Sequence, residues 1–368
     1  MKKRLLATVL AGAMVLSMAA CGSSNANKTE SAAASETEAA ATEAGETQAA
    51  AQDGDASTEL NIYMWQQYIS DELIQNFETE NNCKVNLSYM SDNADAINKL
   101  TAGGGDEYDL IMTCDAYMKS LIAGGYVEEL NLDNIPNSSN INDTYWVSKG
   151  YCVPYLMNYI YVVYDSETCP VEIHSYNDLL QEGLKISTID GARNLFPMAL
   201  VALGYDPNST SESEIAEAYE WLKKFNENVV AYGNAEQNLT NGTANVAVTY
   251  DGNASWAMKE KDTIKVADFT DDAIQLGIDL FVMPKGAKHV DLAEKFLNYI
   301  CTPEVMAKNL EEFPYSCPND AAVAVASDDY KNDPARDFSY KENVFFQEDV
   351  GDALTIYNDY YQKLKVGE

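Results

Sequence analysis

Histidine and basic residues are scarce in this sequence. Its 368 residues include two histidines, and 24 Lys and Arg stand against 58 Asp and Glu, a formal net charge of −34. Two histidines leave little room for a His-rich metal site, so we expect no metal centre. The acidic excess argues against a basic face that would bind nucleic acid or an anionic membrane surface. Apolar residues make up 46% of the chain, which is enough for sizeable cores and excludes global disorder.

Motifs for nucleotide binding and for hydrolysis are also missing. No strand-like segment precedes a GxGxxG pattern or a phosphate-binding Gly-Lys-Ser/Thr loop, and no Gly-x-Ser-x-Gly elbow occurs. Cys114 follows a predicted strand and could use His174 or His289 as a base. A small, half-buried residue at the end of a strand explains Cys114 better. The sequence therefore predicts no cofactor and no enzyme, with a tethered α/β hydrolase as the distant alternative.

The first 21 residues look like an export signal. A basic start precedes an apolar run over residues 5–20 that ends at Cys21. This arrangement is typical of a secretory signal, and the run is shorter than the ~20 residues of a membrane-spanning helix. Small residues before Cys21 resemble a bacterial lipobox, in which the cysteine is lipidated and becomes the mature N-terminus. We predict a lipoprotein signal peptide over 1–21, with membrane contact through the N-terminal lipid only.

The next segment is polar and has low complexity. Residues 22–58 are almost entirely Ala, Ser, Thr, Glu, Gln, Asn, Asp and Gly, without an aromatic residue. Such a composition cannot bury enough surface to offset the entropy lost on ordering. We predict a disordered acidic tether that holds a globular body at the extracytoplasmic face of the cell membrane, in a periplasm or on a Gram-positive cell surface.

The body alternates between strand-like and helix-like segments. Strands are predicted over 60–65, 84–90, 108–113, 159–164, 184–190, 245–250 and 276–283, and helices over 71–82, 94–102, 115–123, 176–182, 192–203, 213–225, 254–259, 291–299, 303–310 and 349–364. Alternation of this kind predicts an α/β fold in which helices flank mixed, mainly parallel sheets. We expect two lobes with a cleft between them. Lobe 1 is predicted over 59–158 plus 280–324, and lobe 2 over 159–279 plus 325–368.

Aromatic residues and a carboxylate gather where these strands end. In open α/β sheets, ligands bind beyond the carboxyl ends of the strands. Trp65 and Tyr68 follow the first strand, and Tyr250, Tyr315 and Asp279 fall in comparable places. Aromatic faces attract an organic ammonium by cation–π interaction, and a carboxylate adds a charge-assisted hydrogen bond. This pattern indicates a binding protein for a small organic cation.

Several stretches resemble one family closely. They are residues 63–68 (YMWQQY), 108–110 (YDL), 190–200 (DGARNLFPMAL) and 349–365. Together they resemble the spermidine/putrescine-binding, PotD-type proteins of ABC importers, over nearly all of 60–367. The resemblance implies a two-lobed periplasmic-binding-protein fold of type II, a polyamine ligand and the transmembrane subunits of an ABC permease as partner. We expect a monomer that binds no nucleic acid.

The resemblance also assigns site residues. Trp65 and Tyr68 match aromatic residues that box the ligand in that family, and Asp279 matches its amine-binding aspartate. The family's remaining tyrosine and glutamine contacts match Tyr315 and Gln347. The predicted ligand-binding residues are Trp65, Tyr68, Asp115, Tyr117, Asn194, Tyr250, Asp279, Tyr315 and Gln347.

Other positions depart from the family pattern. An expected tyrosine falls on Ala116, an acidic pair falls on Gly191 and Asn194, and two expected tryptophans fall on Tyr250 and Gly277. Losing two carboxylates would leave an amine poorly paired unless a neighbouring acid compensates. The candidates for that compensation are Asp115, Asp190 and Asp251.

Two questions stay open at this point. The ligand is a polyamine or another cationic solute, such as a choline-like or single-amine compound. The cysteines are free thiols or form a disulfide, for which the pairs 152–169 and 301–317 are candidates. Internal repeats or large exposed apolar stripes would favour a surface adhesion protein, and the sequence shows neither.

Overall fold

The computed structural model describes residues 58–269, 272–336 and 343–367. The predicted signal peptide, Cys21 and the tether up to residue 57 lie outside these ranges. The first strand begins at Thr58, which is the last residue assigned to the tether. In the described ranges, no helix combines the length and the apolar character needed to span a bilayer.

One mixed sheet runs through the described part of the chain. It contains ten strands in the order β2-β1-β3-β9-β4-β7-β5-β6, with β8 paired to β4 and β10 paired to β9. The strands are β1 (Thr58–Met64), β2 (Cys83–Tyr89), β3 (Leu110–Cys114), β4 (Val153–Asp165), β5 (Ile186–Thr188), β6 (Val229–Tyr232), β7 (Val246–Tyr250), β8 (Ile264–Val266), β9 (Ile274–Val282) and β10 (Val344–Phe345).

Helices connect and cover these strands. They are α1 (Asp71–Asn81), α2 (Asn93–Thr101), α3 (Met118–Ala123), α4 (Ala192–Ala202), α5 (Glu212–Asn226), α6 (Ala235–Thr240), α7 (Asp251–Glu260), α8 (Val290–Ile300), α9 (Pro303–Glu312), α10 (Asp320–Val325), α11 (Asp328–Lys331) and α12 (Ala353–Val366). Local sequence signals determine where two of these helices begin. The Asp92 side chain caps α2 by accepting from the Asp95 amide at 2.9 Å, and Pro303 is the first residue of α9.

Two hydrophobic cores lie side by side along the sheet. The first joins β1–β3 to α1, α8 and α9, and includes an edge-to-face contact of Phe77 with Phe296 at 5.1 Å. The second joins β5 and β7 to α4, α5 and α12, and includes Phe196 against Tyr357 at 5.4 Å. Strands β4 and β9 contribute to both cores, so they connect the lobes. The predicted α/β class and two-lobed architecture are confirmed.

Some predicted segments differ from the observed ones. The predicted strand 159–164 is the second half of β4, which starts at Val153. The predicted helix 176–182 is a short 3₁₀ helix, Tyr176–Leu180. The last helix begins at Ala353 rather than 349, because Gly351 has a left-handed φ of 55° that interrupts a helix. The cysteines of the described residues are free thiols, so neither candidate disulfide is formed.

Candidate functional site

A cavity of about 280 Å³ lies where β4 and β9 pass between the two cores. Eight of the nine predicted binding residues line it, and they come from both lobes. They are Trp65, Tyr68, Asp115, Asn194, Tyr250, Asp279, Tyr315 and Gln347. The ninth, Tyr117, is not among the lining residues: it follows Asp115 in the turn after β3, where burial raises its pKa to about 12.

The turn after β1 presents the first aromatic pair. Trp65 and Tyr68 stand between the end of β1 at Met64 and the start of α1 at Asp71. Gln67 between them has a φ of 57°, a left-handed conformation that few residues other than glycine adopt. This local reversal lets side chains three positions apart reach the same cavity.

Asp279 is the best-connected polar group of the cavity. It lies on β9, is 6% exposed, and its Oδ2 accepts from the Tyr68 hydroxyl and from Asn158 Nδ2, each at 2.6 Å. Burial raises the pKa of Asp279 to about 6, and hydrogen bonds from Tyr68, Asn158 and Trp65 oppose that rise. A carboxylate held in this way is oriented before a ligand arrives.

Asp115 is the second carboxylate of the lining, and its hydrogen bonds come from backbone amides rather than from side chains. It opens the 3₁₀ turn Asp115–Tyr117 directly after β3, where Cys114 is paired with Asp279 of β9. Its Oδ2 atom is buried and has no hydrogen-bond partner within the described structure. Burial, together with the nearby Asp279 charge, raises the pKa of Asp115 to about 7, although the Ile278 amide opposes this by hydrogen bonding.

Aromatic rings form one wall of the cavity. The Tyr315 ring lies 5.0 Å from that of Tyr68 and 5.9 Å from the indole of Trp256, both measured between ring centroids. Tyr315 packs so closely on the start of α7 that a Cβ at Gly252 would meet its ring at 2.6 Å. The ring positions are therefore fixed by packing, and their faces can contact an organic cation.

Amides from the second lobe complete the lining. Asn194, in the first turn of α4, donates through Nδ2 to the Asp190 carbonyl at 2.7 Å and to the Tyr250 hydroxyl at 3.3 Å. Gln347, after β10, donates to the carbonyl of Arg193 at 2.5 Å. These bonds leave the amide carbonyl oxygens of Asn194 and Gln347 available to accept from a ligand.

Of the three acids that could compensate for the missing pair, one lines the cavity. Asp115 does so, whereas Asp190 forms an ion pair with Lys365 at 3.3 Å and is exposed. Asp251 is fully buried and pairs with Arg336 at 2.5 Å. Asp190 and Asp251 thus each form an ion pair with a basic residue of the protein itself.

The cavity also contains residues outside the nine predicted ligand contacts, and four of them (Gln66, Gln67, Cys114 and Asn253) lie in segments at strand ends where the sequence predicts ligand binding. The residues outside the predicted contacts include Gln66, Gln67, Asn93, Cys114, Asn158, Ile160, Asn253, Trp256 and Gln275. Two signals could have found some of them. Gln275, Gly277 and Asp279 alternate along one face of β9, and Trp256 lies one helical turn after Asn253 on α7. The sequence around Asn93 contains no spacing of this kind that would place it at the site.

The described lining does not bring a reactive thiol together with a histidine. Burial raises the pKa of the Cys114 thiol well above its ordinary value, so the thiol stays protonated and unreactive. Neither histidine is a lining residue. Among the described residues, no group of His, Cys, Asp and Glu side chains is arranged to hold a metal ion.

A two-lobed α/β body, with a cavity of rings, amides and carboxylates between its cores, defines a solute-binding protein. Residues 72–337 match the family described as bacterial extracellular solute-binding protein. The chain belongs to that family, which consists of binding proteins of ABC transporters and not of enzymes. The resemblance identified in the sequence is thereby confirmed.

Individual relatives are similar over most of their length. The chain is 31% identical over 320 residues to the spermidine/putrescine-binding periplasmic protein of Salmonella typhimurium, covering 84% of this chain and 92% of the relative. It is 30% identical over 325 residues to the Escherichia coli protein of the same name, covering 85% and 93%.

Solved structures share the fold. A Listeria monocytogenes structure assigned to a spermidine/putrescine ABC transporter superimposes with a TM-score of 0.78 at 27% identity, covering 85% of this chain and all of the other. The PotD substrate-binding protein of Streptococcus pneumoniae has the same fold, with a TM-score of 0.72 at 24% identity, covering 84% and 99%.

Proposed function

We propose that this chain is an extracytoplasmic lipoprotein that captures polyamines, spermidine or putrescine, in the cavity and delivers them to the permease of an ABC importer. The single observation that carries the proposal is the buried, hydrogen-bonded carboxylate of Asp279 beside an aromatic wall. The names of the relatives from Salmonella and Escherichia coli support the same ligand class.

The physical argument rests on the energy of a buried charge. Asp279 is 6% exposed and therefore largely removed from water, so its charge is stabilised by a counterion. No Lys, Arg or His belongs to the described lining, so the protein itself supplies none. An ammonium ligand supplies the positive charge, and its methylene groups pack on the rings.

Anchoring and location follow from the N-terminal sequence. The basic start, the apolar run and Cys21 support lipidation at Cys21, and the polar segment after it supports a tether. The periplasmic relatives support an extracytoplasmic site of action. The lipid alone would hold the protein at the membrane, where the permease receives the ligand.

Calorimetric titration of the chain with spermidine and putrescine tests the proposal, with Asp279→Asn as the informative variant. The asparagine keeps the shape of the side chain and removes its charge. We expect it to weaken polyamine binding by about 2 kcal/mol or more, a factor of about 30, because the ligand's ammonium loses a desolvated partner.

Asp143→Asn is the matched control, because Asp143 is an exposed acid with a side chain 88% accessible. The affinity of the Asp143→Asn variant for each polyamine should equal that of the unaltered chain. Polyamine capture is rejected if the unaltered chain gives no heat with either polyamine at millimolar concentration. Equal affinities for Asp279→Asn and the control would instead mean that binding occurs elsewhere.

A further inference from the structure

We propose that Asp115 is a second charge-bearing contact for the ligand and that Asp115 and Asp279 together select compounds with two protonated amines. This inference rests on the proposed function, capture of an amine in the cavity, and adds the number of charges that the cavity accepts. It assigns a specificity role to a residue that the structure leaves without a side-chain partner.

The first step is the charge inventory of the cavity. Asp115 and Asp279 are the only acidic residues in the described lining, and the lining contains no basic residue. The adjacent acids cannot add to this number. Asp190 is held by Lys365 and Asp251 by Arg336. The cavity therefore offers two negative charges when both carboxylates are ionised.

The second step concerns acceptors that lack a donor. Three buried oxygen atoms of the lining have no hydrogen-bond partner within the described structure: Asn93 Oδ1, Asp115 Oδ2 and Gln275 Oε1. A buried acceptor without a donor is destabilising, and a ligand that donates N–H groups to these atoms would remove that cost. The three atoms belong to α2, to the turn after β3 and to β9, so they approach from different elements. A quaternary ammonium has no N–H group to offer them.

The third step is to match the charges of the ligand to those of a small cavity. A monoamine would leave one carboxylate of the pair without a counterion. A triamine would bring a third positive charge into a cavity of about 280 Å³ that has no third carboxylate. A monoamine therefore gains one charge pair instead of two, and the third charge of a triamine is desolvated without a partner, which is unfavourable. A diammonium compound neutralises both acids at once.

The test compares three amines on the full chain by calorimetry: 1,4-diaminobutane, 1-aminobutane and spermidine. We expect the diamine to bind about tenfold or more tightly than either of the others. Asp115→Asn should then lower the affinity for the diamine by about tenfold or more. The affinity of this variant for 1-aminobutane should stay within about twofold of that of the unaltered chain, because the monoamine keeps its contact with Asp279.

Asp190→Asn is the control, since Asp190 is an acid just outside the lining with a side chain 58% accessible. Circular dichroism and the melting temperature establish that each variant is folded. The proposal is overturned if Asp115→Asn binds the diamine as well as the control does, or if spermidine binds more tightly than the diamine. If none of the three amines binds to the unaltered chain, the proposed function itself fails, which is a separate result.

Discussion

Asp279 and Asp115 show how differently two carboxylates of one cavity can be held. Both have a pKa raised by burial, to about 6 for Asp279 and about 7 for Asp115. Asp279 has the lower value because hydrogen bonds from Tyr68, Asn158 and Trp65 favour its ionised form. Asp115 lacks such side-chain donors and carries the repulsion of Asp279. A bound cation would relieve that repulsion and favour the ionised form of both.

Ligand binding should therefore depend on pH near neutrality. An alkyl ammonium stays protonated up to a pH of about 10, so the carboxylates determine the effect. Polyamine affinity should be highest near pH 8 and fall as the pH drops through about 7 and about 6, because protons then compete with the ligand for Asp115 and Asp279. Each group contributes up to about tenfold per pH unit below its pKa.

Titrations from pH 5 to 8.5 in buffers of different ionisation enthalpy measure both the affinity and the protons released. The other titratable groups of the lining are Cys114, Tyr68, Tyr250 and Tyr315, whose pKa values are raised above their ordinary range, so they stay neutral throughout. Proton release that persists unchanged in Asp279→Asn and Asp115→Asn would contradict this assignment. An affinity that stays constant down to pH 5 would contradict it as well.

At the scale of elements, one ion pair ties α7 to the segment that follows α11. Asp251, the first residue of α7, is fully buried and accepts from Arg336 and from the backbone and hydroxyl of Ser316. Arg336 also donates to the Pro314 carbonyl. This network connects residues of the second core with the Tyr315 segment of the first, directly behind the cavity wall.

Replacing Arg336 should destabilise the fold strongly. Arg336→Leu leaves the buried Asp251 without its counterion, and we expect a loss of about 3–5 kcal/mol in the free energy of unfolding. Lys331→Leu is the matched control, because the Lys331–Asp328 pair is exposed at 3.5 Å and should contribute less than about 1 kcal/mol. Urea denaturation of both variants measures the difference. Similar losses in the two would show that the Asp251–Arg336 pair has no special role.

Helices with a clear apolar face were predicted well from sequence, and the long central strand was not. Helix α5 was expected over 213–225 and runs Glu212–Asn226, because Ile215, Leu222 and Phe225 repeat at helical spacing. Strand β4 is buried on both faces along nearly its whole length, so its first half shows no alternation. Pro154 within it argues against a strand, and the register shift at Pro154 accommodates it.

Local sequence signals and the folded arrangement also explain which residues of the site could be predicted from the sequence. Residues at strand ends and turns, such as Trp65, Tyr68 and Tyr250, could be predicted because chain topology brings strand ends together. Gln275 was missed although it shares a face of β9 with Asp279, since a polar residue within a strand normally indicates a solvent-exposed face. Here that face of β9 points into a cavity, a fact that only the arrangement of both lobes determines. The same arrangement determines that Asp115 lines the cavity and Asp251 does not.

The whole molecule combines a strongly acidic charge with the cavity that we propose binds a cation. A net charge of −34 produces a negative potential that attracts positively charged solutes and speeds their encounter with the protein. The attraction is not selective, because it acts on every cation and is screened by salt. On the proposed function, selection among cations would depend instead on the few short-range contacts of Asp279, Asp115 and the aromatic wall.

The two lobes should unfold together, because they share their central strands. Unfolding either core removes pairing partners of β4 and β9, on which the other core depends. We expect a single calorimetric transition for the chain and an upward shift of the whole transition with a bound polyamine. At a free ligand concentration of 100 times Kd the added stability is about 2.7 kcal/mol. Asp279→Asn, which we expect to bind about 30-fold more weakly, should show about a third of this stabilisation or less at the same polyamine concentration. Two resolved transitions, with one of them moved by the ligand, would mean that each lobe is an independent folding unit and that the shared strands do not couple them.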